Sequence, residues 1–189
     1  MTWRVVAMAG ALAGASVLAA PGAMARSLDV NLSDESARVL YSTRMATGEY
    51  GHSDVEFGFM YNEDSNAAVT AGLHIFNHGL AGPNYLGLGG RIYGIQTDDA
   101  DGLALALGGQ GRWAPPELGG VGLGGHLYYA PRIVSFLDAD RVQEVGVRLD
   151  YQLIPHAFIY VGHRDIRMKL SNGTERVDRG AHLGFKLLF

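Results

Sequence analysis

Ionisable side chains recur at every second position of several short segments of this chain, on a face that they share with glycine. Successive residues of an extended strand point to opposite faces, so this spacing places the charged groups side by side. A group of acidic and basic side chains on one face can do one of three things. It can line a selective pore, bind an anionic solute, or form ion pairs with one another where water is excluded. The candidates are Glu56, Arg91, Arg112, His126, Glu144, Arg148, Asp150, Arg164, His182 and Lys186.

Two further groups have residue types that metals favour but lack the required spacing. The run at 98–102 has the carboxylate density that Ca²⁺ prefers, without the ligand spacing or the downstream Glu of an EF-hand loop. His74 and His78 form an H-x-x-x-H pair without the Glu of a zincin. We therefore expect a solvated acidic loop at 98–102, and neither a metal nor another cofactor.

Enzymatic signatures are weak. No G-x-S-x-G or P-loop sequence occurs, and Ser135, His126 and Asp138 are only loosely spaced candidates for a hydrolytic site at a barrel rim. The complete lack of cysteine excludes disulfides, a catalytic thiol and a lipid-modified N-terminal Cys. A net charge of −4 gives no reason to expect nucleic acid as a partner. We expect a protein without catalytic activity.

The first 25 residues have the pattern of an export signal. Arg4 precedes an apolar stretch over 5–20, and Ala-Met-Ala at 23–25 matches the small-x-small site of signal peptidase. The sequence therefore predicts a cleaved signal peptide over 1–25 and one domain over 26–189.

Apolar and polar residues alternate through most of the rest of the chain, which predicts β-strands. Turn sequences separate segments of about ten residues, the length of a tilted membrane-spanning strand. A short hairpin at 27–33 and 36–43 raises the count from eight to ten, and eight remains the alternative if that hairpin lies outside the barrel. The other predicted strands lie near 53–62, 67–76, 84–95, 102–113, 120–130, 142–153, 157–167 and 178–189.

Glycine distinguishes two architectures for these strands. A soluble β-sandwich or lipocalin-like barrel, binding an apolar ligand, would place the apolar face inside. A membrane barrel places that face outside and the polar face in its lumen. The chain has 27 Gly, about twice the usual share, and many lie on the polar face. Glycine weakens a strand face that is exposed to water, but in a crowded lumen it leaves space for neighbouring side chains. The sequence predicts an all-β, transmembrane, antiparallel up-and-down β-barrel.

The last strand also predicts the orientation. Leu183, Phe185, Leu187 and Phe189 share one apolar face that ends on the terminal Phe. This pattern resembles the assembly signature of bacterial outer-membrane barrels and implies a periplasmic C-terminus. The turns at 114–116 and 154–156 are then periplasmic, and the connections at 62–66, 96–102 and 131–140 are extracellular.

Three segments of the chain resemble a known family. They are 27–32 at the mature start, the Leu-Tyr-Tyr-Ala-Pro sequence at 127–131 followed by 135–141, and the terminal 187–189. Together they resemble the YfaZ family of Gram-negative outer-membrane proteins, although His163 stands where an aromatic residue is expected. The resemblance implies a β-barrel in the bacterial outer membrane and supplies no catalytic residues.

A barrel of eight to ten strands encloses little more than its own side chains. We therefore expect the charged residues to form a paired network that fills the lumen of a structural or interaction protein. The alternatives are a narrow channel for small solutes and a rim-active lipid-modifying enzyme. The expected partners are outer-membrane lipid, lipopolysaccharide and, during insertion, the barrel-assembly machinery, with the protein a monomer.

Overall fold

The computed structural model describes residues 25–77, 84–97, 100–170 and 173–189. The predicted signal peptide, apart from Ala25, lies outside the described residues. Within the described residues there are eleven strands: β1 (Arg26–Ser33), β2 (Ser36–Thr47), β3 (Gly51–Asn62), β4 (Ala67–Asn77), β5 (Tyr85–Gln96), β6 (Asp101–Trp113), β7 (Val121–Ala130), β8 (Ser135–Leu137), β9 (Arg141–Ile154), β10 (Ala157–Leu170) and β11 (Gly173–Leu188).

Ten of these strands close into an antiparallel barrel. Each strand from β1 to β7 pairs with the next one along the chain, and β7 pairs with β9. The order then continues through β10 to β11, and β11 pairs with β1 to close the barrel. The three-residue β8 lies in the connection between β7 and β9 and pairs with the start of β6, where the shorter β7 does not reach. The predicted ten-stranded barrel is confirmed, and the hairpin at 27–43 belongs to it.

Two tight turns show how local sequence joins the strands. Between β1 and β2, the hydroxyl of Ser33 accepts a 2.9 Å hydrogen bond from the backbone N–H of Ser36. Between β3 and β4, the Asn62 side chain accepts a 2.8 Å bond from the N–H of Asn66, and Ser65 adopts a positive φ of 59°. Ser and Asn favour turns because their side chains hydrogen-bond to nearby backbone groups.

The hairpin of β10 and β11 is longer than the sequence predicts. Alternation places the strand ends near 167 and 178, whereas the ladder continues to Leu170 and Gly173. A β-bulge interrupts it: Ile166 pairs with Asp178 and Arg167 pairs with Arg176, leaving Val177 as the extra residue. The predicted strand ends assume strict alternation of inward and outward residues. The extra residue of the bulge interrupts that alternation, so the strands continue beyond the predicted ends.

The two faces of the barrel have opposite character. Large apolar side chains are exposed on the outside, with Leu183 at 68% and Leu107 at 69% exposure. Charged residues such as Glu144 and Arg164 are buried inside. Because an apolar outer surface with a polar interior is the arrangement of a membrane barrel, the alternative of a soluble barrel is wrong.

The barrel has two distinct ends, which we name by the chain termini. The terminal end holds Arg26 and Phe189, whose backbones are joined by hydrogen bonds of 2.8 and 2.9 Å. The distal end holds the connections at 34–35, 63–66 and 131–140, Thr97 and Ala100, and the last cross-strand pair of β10 and β11, Leu170 with Gly173. Connections are short at both ends, and 131–140 is the longest.

Among the described residues, no helix is long and apolar enough to cross a membrane.

Candidate functional site in the barrel lumen

The ten charged residues singled out from the sequence lie on the inner face of the barrel. Eight form an ion pair or a hydrogen bond with another side chain inside the lumen, whereas His182 packs against the Tyr160 ring and Lys186 borders an internal cavity. The eight are Glu56, Arg91, Arg112, His126, Glu144, Arg148, Asp150 and Arg164.

Glu144 of β9 forms the centre of a network that crosses the lumen. Its two carboxylate oxygens accept hydrogen bonds from Arg38 of β2 at 2.6 Å and from Arg91 of β5 at 2.9 Å. Arg91 also donates to Glu56 of β3 at 2.6 Å, and His126 Nε2 lies 2.9 Å from Glu144. Two arginines and two glutamates balance in charge, as burial of ionised groups requires.

Aromatic side chains cover the distal side of this network. The hydroxyl of Tyr93 donates to Glu144. The guanidinium of Arg91 lies 4.0 Å from the ring centroid of Tyr128, which is the distance of a cation–π contact. The Tyr128 hydroxyl is 2.7 Å from Nε2 of His74. These contacts join the charged centre to the aromatic side chains above it.

Above the network, the distal half of the lumen is filled by apolar side chains. They come from nearly every strand, and Ala100 and Ala139 of two distal connections join them. We call this group the distal core. It comprises Met60, Ala68, Tyr93, Ile95, Ala100, Ala104, Ala106, Tyr128, Ala130, Ala139, Val142, Ile166, Met168 and Val177.

Below the network, ion pairs line the wall and leave space between them. Arg112 of β6 makes a bidentate pair with Asp150 of β9, donating from Nη2 to Oδ1 and from Nε to Oδ2. Arg148 of β9 reaches across to Asp29 of β1 at 3.2 Å, and Asp29 also accepts the hydroxyl of Tyr160. These pairs fix charged side chains against the strands rather than in the middle of the lumen.

A third pair lies between the two regions, near the β10–β11 bulge. Arg164 donates to Asp178 at 2.7 Å and to the amide oxygen of Asn31 at 2.8 Å. Asp178 points inward because the bulge buries it together with Val177.

The space in the terminal half is a cavity of about 730 Å³ that reaches the terminal end. Its wall includes Gln110, Arg112, Arg148 and Asp150, and Phe189 lies at its border. Lys186 also borders it and has no ion-pair partner within the described residues. The cavity therefore offers a cation that is free to meet an anionic group.

Two lumen glycines show why this residue is frequent on the inner face. A Cβ added at Gly122 would lie 2.7 Å from Nε of Arg112, and one at Gly146 would lie 2.8 Å from Nε2 of His126. Both distances are shorter than van der Waals contact. Glycine on one strand therefore leaves room for a long polar side chain from its neighbour.

The candidate metal motifs lie partly outside the described residues, and the candidate enzyme residues do not come together. Asp98, Asp99 and His78 lie outside the described residues. Ser135 donates to the carbonyl of Pro131, whereas His126 faces Glu144. Among the residues described, no group of three or more His, Asp or Glu side chains is arranged to hold a metal ion.

Sequence reasoning missed several lumen residues. Arg38 and Asp29 lie on the polar faces of β2 and β1, so alternation signals them. Asp178 is placed by the bulge, which no signal in the sequence announces. The distal core was missed because alternation assigns a face to each residue but does not say how far along the barrel it lies.

Comparison with known families gives one match that covers nearly the whole chain. The family described as YfaZ precursor matches residues 4–189. No curated protein sequence matches the chain.

Several solved structures are similar at low sequence identity. A structure described as KdgM porin in complex with disordered oligogalacturonate shares 13% identity over 87% of this chain and 99% of that chain, with a TM-score of 0.47. The outer membrane channel DcaP of Acinetobacter baumannii shares 10% identity over 90% of this chain and 60% of its own, with a TM-score of 0.43. The translocator domain of autotransporter NalP from Neisseria meningitidis shares 14% identity over 88% and 87%, with a TM-score of 0.34. Likenesses this distant carry no inference about transport or ligands.

Proposed function

Because the chain belongs to the YfaZ family, we propose that it is a bacterial outer-membrane protein with a closed lumen. It acts as a structural or interaction component and not as an open channel or an enzyme. In this proposal the terminal end faces the periplasm and the distal end faces outward. Its partners are outer-membrane lipid, lipopolysaccharide and the barrel-assembly machinery, and it works as a monomer without cofactor.

One observation carries this proposal: two consecutive layers obstruct the lumen. Glu144 of β9 is linked to β2 and β5 by hydrogen bonds and to β7 by an ion pair, and these contacts cross the middle of the lumen. Above it, Tyr128, Met168 and Val142 are fully buried in the distal core. A hydrated ion would have to displace buried ion pairs and then cross an apolar layer, both of which are costly.

Planar-bilayer recording tests the closed lumen. The full mature chain, with folding verified by heat-modifiable gel migration, is expected to give no resolved conductance steps. A general diffusion porin inserted under the same conditions is the positive control. A stable, large, ohmic current from the folded protein would overturn the proposal.

Cell fractionation tests the location. The protein is expected in the outer-membrane fraction and to require detergent for extraction, since its outer surface is apolar. Recovery from a detergent-free periplasmic extract would contradict this.

For the enzyme alternative, lipid A and phospholipid profiles with and without the gene are expected to be identical, and a lipid species that depends on the gene would contradict that expectation.

The cavity supports a second candidate function, the binding of a small anionic solute from the periplasm. Its volume of about 730 Å³ is in the range of ligand pockets, and Lys186 supplies a cation with no ion-pair partner among the described residues. Pyrene tetrasulfonate is a suitable probe because it is anionic and fluorescent. We expect the dye to bind the wild type and binding to fall in Lys186→Gln, whereas the exposed distal variant Arg132→Gln retains it. Equal binding by all three proteins would rule this candidate out.

A further inference from the structure

Five cationic side chains gather on the outer face of the barrel at the distal ends of β9, β10 and β11. We call them the distal basic patch: Arg141, Arg167, Lys169, Arg176 and Arg179. All five are exposed on the described surface. Cross-strand pairing sets Lys169 beside Arg141 and Arg167 beside Arg176, so the cations form adjacent rows on one flank.

One carboxylate organises two of these arginines. Asp165 is nearly buried beneath Arg167, whose Nε donates to it at 2.8 Å, and Nε of Arg179 lies 3.7 Å away. Both arginines remain 48% exposed. Even when Glu175 and Asp140 are counted beside Asp165, the five cations outnumber the nearby carboxylates, so the patch retains a net positive charge.

The β-bulge creates this concentration of charge. Arg176 and Arg179 are three residues apart, and strict alternation would place them on opposite faces of β11. The extra residue at Val177 turns both arginines outward while Val177 and Asp178 point inward. Bulges often re-aim a side chain in this way.

The depth of the patch matches a lipid headgroup region. From Phe189 to Ala181 the outward residues of β11 climb about 27 Å along the strand, or about 20 Å along the barrel axis at the usual tilt. The apolar band of outer-membrane barrels is about 25 Å tall. Arg179 and Arg176 therefore emerge at the distal edge of the band, where headgroups begin.

The remaining flank of the distal end has the opposite charge. The exposed charged residues described at the distal ends of β1 to β6 and in their turns are carboxylates: Asp34, Glu35, Glu63, Asp64 and Asp101. Asp138 and Asp140 lie in the connection between β7 and β9, so the excess of cations is confined to β9–β11. The separation favours one anionic partner docked on β9–β11.

We propose that the distal basic patch binds the phosphate groups of lipid A, the phosphorylated glycolipid that anchors lipopolysaccharide. Arginine suits this partner because its planar guanidinium pairs with phosphate oxygens in a bidentate manner. The patch lies beside the apolar band, so the acyl chains of the same lipid pack against residues such as Leu183 and Val161. This inference depends on the outward placement of the distal end in the proposed function.

Native mass spectrometry of the full mature chain in a mild detergent tests the patch. We expect diphosphoryl lipid A to bind more tightly than dephosphorylated lipid A. The double variant Arg176→Gln/Arg179→Gln is expected to weaken diphosphoryl lipid A binding by about 10- to 30-fold, because each surface cation contributes about fivefold. Heat-modifiable migration verifies that each variant is folded.

Arg26→Gln/Arg44→Gln is the matched control, since it removes two arginines from the terminal end. We expect it to bind diphosphoryl lipid A within about twofold of wild type. The proposal is overturned if the two lipids bind equally or if both double variants lose the same affinity. Because the assay is done in detergent, its failure is separate from failure of the outer-membrane location in cell fractionation.

Discussion

In the distal half of the lumen, Met168 and Tyr128 are fully buried among apolar side chains, whereas in the terminal half Gln110 and Lys186 border an open cavity. The same strands build both halves. Only the residues at successive inward positions differ: Ala106 and Gln110 are inward residues of one strand, yet they lie in different environments. The lumen is therefore closed at its distal end and open at its terminal end.

The layer between the two halves should show the largest effect. Glu144→Ala leaves Arg38 and Arg91 buried without their shared carboxylate, and breaking such a buried pair costs about 3–5 kcal/mol. The free energy of unfolding is measured by urea titration in lipid vesicles, followed by Trp113 fluorescence. Glu63→Ala, in an exposed distal turn, is the control and should change it by less than about 0.5 kcal/mol. Similar losses in both variants would show that Glu144 does not tie the strands together.

Truncation of one side chain in each half should cost different amounts of stability, because only the distal half is tightly packed. Met168→Ala opens a void in the distal core and should cost about 2–5 kcal/mol in the same titration. Gln110→Ala only enlarges an existing cavity and should stay within about 0.5 kcal/mol. If the two substitutions cost the same, the halves are not packed differently.

The smallest effect on stability is expected at Lys186. Its ammonium has no ion-pair partner to lose within the described residues, so Lys186→Gln should change the free energy of unfolding by less than about 0.5 kcal/mol. A loss of several kcal/mol would mean that Lys186 stabilises the barrel.

Most of the fold could be predicted from the sequence because alternation and turn residues are local signals. They place Glu56 inside and Leu187 outside, and they locate the hairpin that brings the count to ten strands. The ends of β10 and β11 were missed because a bulge shifts the register at Val177 without a sequence signal.

The lumen charges could be predicted as a set, but their partners could not. Glu144 and Arg38 lie 106 residues apart, and their contact depends on how the closed barrel staggers its strands. The division into a filled and an open half was missed for the same reason. Inward residues such as Met60 and Ala106 are visible in the pattern, but only the register around the barrel gives their depth.

Thiol labelling at two inward positions of β6 measures whether an aqueous reagent reaches each half of the lumen. The protein lacks native cysteine, so Ala106→Cys and Gln110→Cys each provide a single thiol in an otherwise unreactive chain. In lipid nanodiscs treated with a charged methanethiosulfonate, mass spectrometry should find Gln110→Cys modified and Ala106→Cys unmodified until the barrel is unfolded. Equal modification of the two folded variants would contradict a lumen that is closed at its distal half and open at its terminal half.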